Sequence, residues 1–350
     1  MAKSKNYTTA SKGIYVEGSD DVYVHSVPLY LQETFEENKM SLEEYQDVYP
    51  NAPIYSAAYL AMKAKKSESI QSSMTTSAAK VTNFPGGDRK EIFADVFDLG
   101  DAAAAKNARG EKVRCTVLAD PKPEFVDWVP EKDPNYIFPI DALKAVMVAA
   151  ELNMPMLLWG MHGTGKTTLI EQYCNGTNRP WIRVQHTVST EEAHILGHYV
   201  VKNGGTEFEP GPLLVAMREG LVYVADEYDF ALPSVTSVYQ SVLEGKPLVV
   251  KEAPPEFRIT KPHPNFRFYA TGNTNGAGDE TGLYTGTQMM NAANYSRFGV
   301  TIQMEYMPAK QETAVVAGQS RIHPDDAARL VAVANDIRRQ FEKGDLSVTI

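Results

Sequence analysis

Three short stretches of this 350-residue chain carry side chains that could act on a phosphate ester. The first, Gly160-Met-His-Gly-Thr-Gly-Lys-Thr167, fits G-x-x-x-x-G-K-[ST] and lies between an apolar run that reads as a strand and a segment that reads as a helix. Glycines there let backbone N–H groups converge on phosphate oxygens, and the N-terminus of the following helix adds the positive end of its dipole. Lys166 is expected to reach the β and γ phosphates of ATP, and the Thr167 hydroxyl to hold Mg²⁺. Gly160, His162, Gly163, Thr164, Gly165 and Thr168 complete the expected nucleotide cradle, with His162 a spacer inside it.

The second stretch, Leu221-Val-Tyr-Val-Ala-Asp-Glu227, is an apolar strand that ends in two carboxylates. Such a strand would deliver Asp226 rigidly to the metal, leaving Glu227 to polarise a water for attack on the γ phosphate. That arrangement implies hydrolysis rather than transfer to a small acceptor. The third, Phe268-Tyr-Ala-Thr-Gly-Asn273, reads as another strand ending in a polar residue. Asn273 is placed to hydrogen-bond the attacking water if its strand end lies beside the other two. Arg297, in Tyr-Ser-Arg-Phe298, is a lone cation that would act on the γ phosphate of a neighbouring subunit, and this role requires a ring.

The elements that must position these residues alternate. A helix is predicted over Ile140–Leu152, strands over Met156–Trp159, Trp181–Val184, Leu221–Ala225 and Phe266–Thr271, and a helix over Thr168–Tyr173. Strand and helix in turn imply an α/β fold with a mostly parallel sheet covered on both faces. A late helix over Pro324–Phe341, with Leu330, Ala334, Ile337 and Phe341 on one face, would begin a helical lid. Two regions flank this core in the expected layout, residues 1–124 before it and 306–350 after it, with the core over 125–305. Within the first, helices are predicted over Ser41–Tyr49 and Ala57–Lys66, and the Ser/Thr-rich run Ser67–Thr82 resembles a linker.

Composition narrows the partners. Hydrophobic residues make up 43% and charged residues 22%, and no apolar run approaches membrane-spanning length. A formal net charge of −10 argues against broad nucleic-acid binding, and the Tyr199–Glu209 stretch carries only Lys202 as a cation. Cys115 and Cys174 fit no metal-ligand spacing and read as free thiols of a reducing compartment, hence the cytoplasm. His194 and His198, with Glu191, would share a helix face, but form no H-E-x-x-H and read better as solvated. Tyr223, Tyr228 and Phe230 read as sheet packing.

Taken in order, the glycine loop, the Asp-Glu strand, the Asn-bearing strand and the Arg resemble the AAA+ ATPases of the MoxR branch. Longer stretches, among them VPEKDPNYIF (Val129 to Phe138), VADEYDFALPSV (Val224 to Val235) and Gly278-Asp-Glu-Thr-Gly-Leu-Tyr-Thr-Gly-Thr-Gln288, are similar to the ATPase-subunit (CobS) family of aerobic cobaltochelatases. The resemblance covers roughly Phe125 to Ile350. It implies an AAA+ P-loop core with Lys166 and Thr167 in Walker A, Asp226 and Glu227 in Walker B, Asn273 as sensor 1 and Arg297 as a finger acting in trans. It further implies ATP and Mg²⁺, a hexameric ring, a protein partner with a von Willebrand A-type domain, and a lid that continues to a sensor 2 Arg. His198 to Pro212 looks like the hairpin inserted in this branch. No residue looks equipped for cobalt or tetrapyrrole, so metal insertion would be the partner's chemistry. The rival reading is a MoxR-type remodelling ATPase with another client.

Overall fold

In the computed structural model, residues 87–347 and Thr349 are described, apart from 203, 280, 281 and 285, together with four short strands among the first 55 residues. The chain divides into two units, Met1–Lys80 and Val81–Ile350. In the first, β1 (Tyr7–Ala10), β2 (Gly13–Val16), β3 (Tyr23–His25) and β4 (Ile54–Tyr55) pair in that order as an antiparallel sheet. The helices expected at Ser41–Tyr49 and Ala57–Lys66, and the linker Ser67–Thr82, lie outside the described residues.

The second unit is built on five parallel strands: β7 (Met156–Trp159), β8 (Trp181–Gln185), β11 (Val222–Asp226), β14 (Arg267–Gly272) and β15 (Val300–Gln303). Their spatial order is β15-β7-β14-β11-β8, with Met156 opposite both Val300 and Tyr269, and Val222 opposite both Arg267 and Trp181. Sequence pattern explains the positions. β11 and β14 are buried at every residue, as strands covered on both faces must be, whereas the edge strand β15 alternates between half-buried and exposed.

Alternate residues of β11 enter different cores. Tyr223 and Ala225 join Leu213, Leu214, Met217, Tyr239 and Phe268 on one face of the sheet. Val222 and Val224 join Leu143, Met147, Leu158, Leu169 and Tyr269 on the other. Each such fully buried side chain contributes about 1.5–3 kcal/mol. The helices of the second face are α1 (Ile140–Leu152) and α2 (Lys166–Gly176). α3 (Glu192–Leu196) and α4 (Pro212–Glu219) cover the first, and between them β9 (Gly197–Lys202) and β10 (Gly205–Pro210) form an antiparallel hairpin. A helical pair, α5 (Ala309–Ser320) and α6 (Pro324–Glu342), follows β15.

Three expectations are corrected. Residues 87–124 do not belong with the N-terminal region: β5 (Arg89–Ile92) and β6 (Arg114–Val117) form a hairpin, and Phe93, Phe97 and Cys115 are buried in the α1–α2 core. The boundary therefore falls at Lys80 rather than at 124. His198 is a strand residue, because Gly197, at φ 111°, ends α3 one residue after Leu196. His194 and His198 thus share no helix face, and the His194 ring instead accepts a hydrogen bond from the Glu191 N–H at 3.1 Å. On α6 the inward positions are Ala327 and Val331, while Leu330 is exposed.

Candidate active site

The chain leaves β7 at Trp159 into a loop that only glycine can open. A Cβ on Gly160 would lie 2.3 Å from the Met304 carbonyl oxygen, at the end of neighbouring β15. Gly165, at φ 82°, turns the chain into α2 so that Lys166, Thr167 and Thr168 form the helix's first turn. Thr164 Oγ1 donates to the Met161 carbonyl at 2.8 Å and tightens the loop. The expected nucleotide residues Gly160, His162, Gly163, Thr164, Gly165, Lys166, Thr167 and Thr168 thus make one continuous turn over a helix N-terminus, the arrangement that binds anions.

β14 lies between β7 and β11, so the three strand ends carrying the candidate residues are adjacent. Lys166 Nζ donates to the carbonyls of Gly160 (2.7 Å) and Met161 (2.9 Å) and to Asn273 Oδ1 (3.2 Å). Asn273 Nδ2 in turn donates to Glu227 Oε2 at 2.5 Å. Thr167 Oγ1 donates to Asp226 Oδ1 at 2.7 Å. Lys166, Asn273 and Glu227 form one connected group, with the Thr167–Asp226 pair beside it, at the C-terminal end of the sheet, where open α/β sheets bind ligands.

Electrostatics follow from burial. Desolvation lowers the Lys166 pKa, opposed by Glu227, Asp229 and Asp226. Glu227 is pushed upward by desolvation and by the Asp229 and Asp226 charges, against the pull of Asn273 and Lys166. Its backbone is left-handed at φ 54°, which costs a non-glycine residue about 1–2 kcal/mol and is characteristic of functional positions. The Glu227 N–H donates to Thr271 Oγ1 at 3.2 Å, which anchors that turn to β14.

Several members of the site have no signature of their own in the sequence. Thr271 Oγ1 donates to Asp226 Oδ1 at 2.5 Å, and Arg183 Nε donates to Asp226 Oδ2 at 2.7 Å. Asp229, 3% exposed, accepts at Oδ2 from the N–H groups of Asn273 and Thr274 (both 2.9 Å) and from Thr274 Oγ1 (3.1 Å). Behind Asp226 runs a buried chain. His186 is kept neutral by burial, and its Nδ1 lies 3.1 Å from the Asp226 carbonyl, which can only accept. Nδ1 therefore carries the proton, so Nε2 accepts from Tyr239 OH at 2.7 Å, and Tyr239 OH accepts from Tyr223 OH at 2.8 Å. This chain fixes the end of β11.

Arg297 stands apart from the cluster in its own chain. Its guanidinium donates to Glu244 Oε1 at 2.8 and 2.7 Å and to the Ala293 carbonyl at 2.7 Å. On the other side of the loop, a cavity of about 720 Å³ is bounded by Met161, Thr164, Tyr306, Asn335, Arg338 and Arg339. Two arginines of α6 therefore reach the loop region. Arg338 stacks 3.7 Å over the Tyr306 ring and pairs bidentately with Glu312 at 2.8 and 2.7 Å.

The donor set fits a nucleotide and a hard cation. A neutral hydroxyl and a carboxylate, Thr167 and Asp226, meet at the helix start, and oxygen ligands of this kind suit Mg²⁺.

A family model described as an AAA domain of the dynein-related subfamily matches residues 155–298, which span all three strand ends. The aerobic cobaltochelatase subunit CobS of a Sinorhizobium species is 36% identical over 234 residues, 64% of this chain and 69% of that protein. The chain belongs to the AAA+ ATPases. Its place within them is the MoxR branch, with the CobS proteins. An uncharacterized protein of Staphylococcus saprophyticus is 29% identical over 203 residues, 56% of this chain and 73% of that one. Among solved structures, a Cytophaga hutchinsonii protein described as an ATPase gives a TM-score of 0.43 at 17% identity, covering 61% of this chain and 62% of that chain. The AAA+ core expected from the sequence, an α/β unit with a five-stranded parallel sheet flanked by helices, is the observed fold.

Proposed function

We propose that this AAA+ chain hydrolyses ATP in a hexameric ring and serves as the motor of a cobaltochelatase-type complex, driving a partner that inserts cobalt into a corrin ring. The observation that carries this reading is the connected group Lys166–Asn273–Glu227, with Asn273 bonded to the other two at 3.2 and 2.5 Å.

In this mechanism Lys166 and the N–H groups of Gly163 to Thr168 hold the β and γ phosphates. Thr167 and Asp226 would hold Mg²⁺. When bound, Mg²⁺ would supply positive charge against the phosphates of ATP. Glu227 takes a proton from the attacking water, and its upward-shifted pKa brings it nearer the working pH, where a general base is most effective. Asn273 orients both that carboxylate and the water. Arg297, engaged in its own chain with Glu244, acts on the γ phosphate held by the neighbouring subunit. Cobalt and tetrapyrrole are handled by the partner, which carries a von Willebrand A-type domain, and the site of action is the cytoplasm.

The test is cobalt insertion into the corrin precursor with this chain replacing the ATPase subunit of a reconstituted aerobic cobaltochelatase, beside its Glu227→Gln variant. ATP-dependent insertion that the variant lacks supports the full reading. Absence of insertion by a protein that still hydrolyses ATP overturns the chelatase role and leaves a remodelling ATPase with another client.

A further inference from the structure

Among the described residues between Asn273 and Arg297, Tyr284 reaches the phosphate loop. Asp279 shapes its turn by accepting from the Gly282 N–H (2.7 Å, Oδ1) and the Tyr284 N–H (2.9 Å, Oδ2). The turn delivers the Tyr284 phenol to the loop, where its oxygen accepts from the His162 N–H at 3.0 Å and lies 3.2 Å from His162 Nδ1. Further along, the Gln288 N–H donates to the Asp229 carbonyl at 2.6 Å, and Asp229 is the residue that holds the Asn273 N–H. Tyr284 is 9% exposed, and its burial raises the phenol pKa, so the hydroxyl keeps its proton. Within reach of that proton are Met161 Sδ, a weak acceptor 3.5 Å away, and His162 Nδ1 at 3.2 Å when that ring carries its own proton on Nε2.

The end of the phosphate chain that Tyr284 faces follows from Lys166. Its ammonium, the group that meets the β and γ phosphates, sits on the carbonyls of Gly160 and Met161 and on Asn273. Residues 160–162 therefore mark the γ end, and the helix start marks the other.

We propose that Tyr284 is a γ-phosphate-contacting residue: its hydroxyl, held against the phosphate loop at His162 and Met161, donates its proton to a γ oxygen and lets the site tell ATP from ADP. This rests on the nucleotide-site reading above and extends it to a residue outside the glycine loop and the Asp-Glu strand. A hydrogen bond to a charged group is worth roughly tenfold to hundredfold in affinity.

The experiment compares equilibrium binding of ADP and of a non-hydrolysable ATP analogue, with Mg²⁺, to the full chain and to Tyr284→Phe, which keeps the ring and removes the hydroxyl. The expected result is analogue binding weakened roughly tenfold to hundredfold with ADP affinity unchanged. Asp279→Asn, which weakens the turn that holds the Tyr284 backbone but leaves the phenol in place, is expected to show a smaller loss of the same kind. Equal weakening for both nucleotides, or no weakening for either, overturns the proposal while the nucleotide site stands. A wild-type chain that binds neither nucleotide overturns both.

Discussion

Thr167 Oγ1 lies 2.7 Å from Asp226 Oδ1, joining the first turn of α2 to the end of β11 across the intervening strand β14. Two residues 59 positions apart thus meet as the oxygen pair expected to hold Mg²⁺. Thr167→Val keeps the shape and removes the oxygen. The Mg²⁺-dependent part of ATP affinity is expected to fall roughly 10- to 100-fold, with little change in EDTA. Nucleotide titrations with and without Mg²⁺ check it, and an unaltered Mg²⁺ dependence would contradict the assignment.

Arg297 bonds within its own chain to Glu244 and Ala293. Arg297→Ala is expected to leave nucleotide binding intact and to lower turnover by about 10³- to 10⁵-fold, the range for a transferred arginine. Lys166→Ala should lose nucleotide binding outright. Mixing the two inactive variants places an intact Arg297 beside an intact loop in some neighbouring pairs, so partial ATPase activity is expected to return. A mixture as inactive as its components would count against a finger in trans.

Glu227 is held above the usual carboxylate range by desolvation and by Asp229 and Asp226. As a base it must be ionised, so turnover is expected to fall on acidification earlier than it would with an unshifted glutamate. The same shift acts on stability. A carboxyl that binds its proton more tightly in the folded chain favours folding at low pH and costs stability as pH rises through the folded value. Glu227→Gln removes that cost, so its melting temperature is expected to exceed that of the wild type near pH 7, with the gap closing toward pH 4. A constant gap across that range would show that the shift is absent.

Asp229 collects three donors at one buried oxygen. Asp229→Ala strands all three, and each buried unsatisfied group costs about 1–3 kcal/mol. The variant is expected to lose about 3 kcal/mol or more in denaturant unfolding. Turnover should drop further than nucleotide affinity, because Asn273 loses its mooring. Asp229→Asn, which retains one acceptor, should be milder on both measures.

Local patterns carried the core. The strand Met156–Trp159 and the helix Ile140–Leu152 were legible to the residue, because an apolar run bounded by glycine and a 3.6-residue period are properties of the segment itself. The lid helix at Pro324 was legible too, yet its inward face was not: Leu330 is exposed where Val331 is buried, since neighbouring elements choose the face. α5 went unread because its apolar residues form no stripe and none is buried. Asp229, Thr271 and the His186–Tyr239–Tyr223 chain depend on contacts between strands far apart in sequence. Only the third carboxylate of Asp226-Glu-Tyr-Asp229 hinted at them. Phe93 and Phe97 were assigned to the wrong unit because their partners, α1 and α2, come dozens of residues later.

Glu227 is the base of the proposed ATP-hydrolysing site. ATP turnover and nucleotide binding, measured side by side on the wild type and on Glu227→Gln, test this directly. Expected for the variant is ATP affinity equal to the wild type's, with turnover reduced by about 10²- to 10⁴-fold, the usual contribution of a positioned base. A Glu227→Gln chain that turns over ATP at the wild-type rate would contradict it.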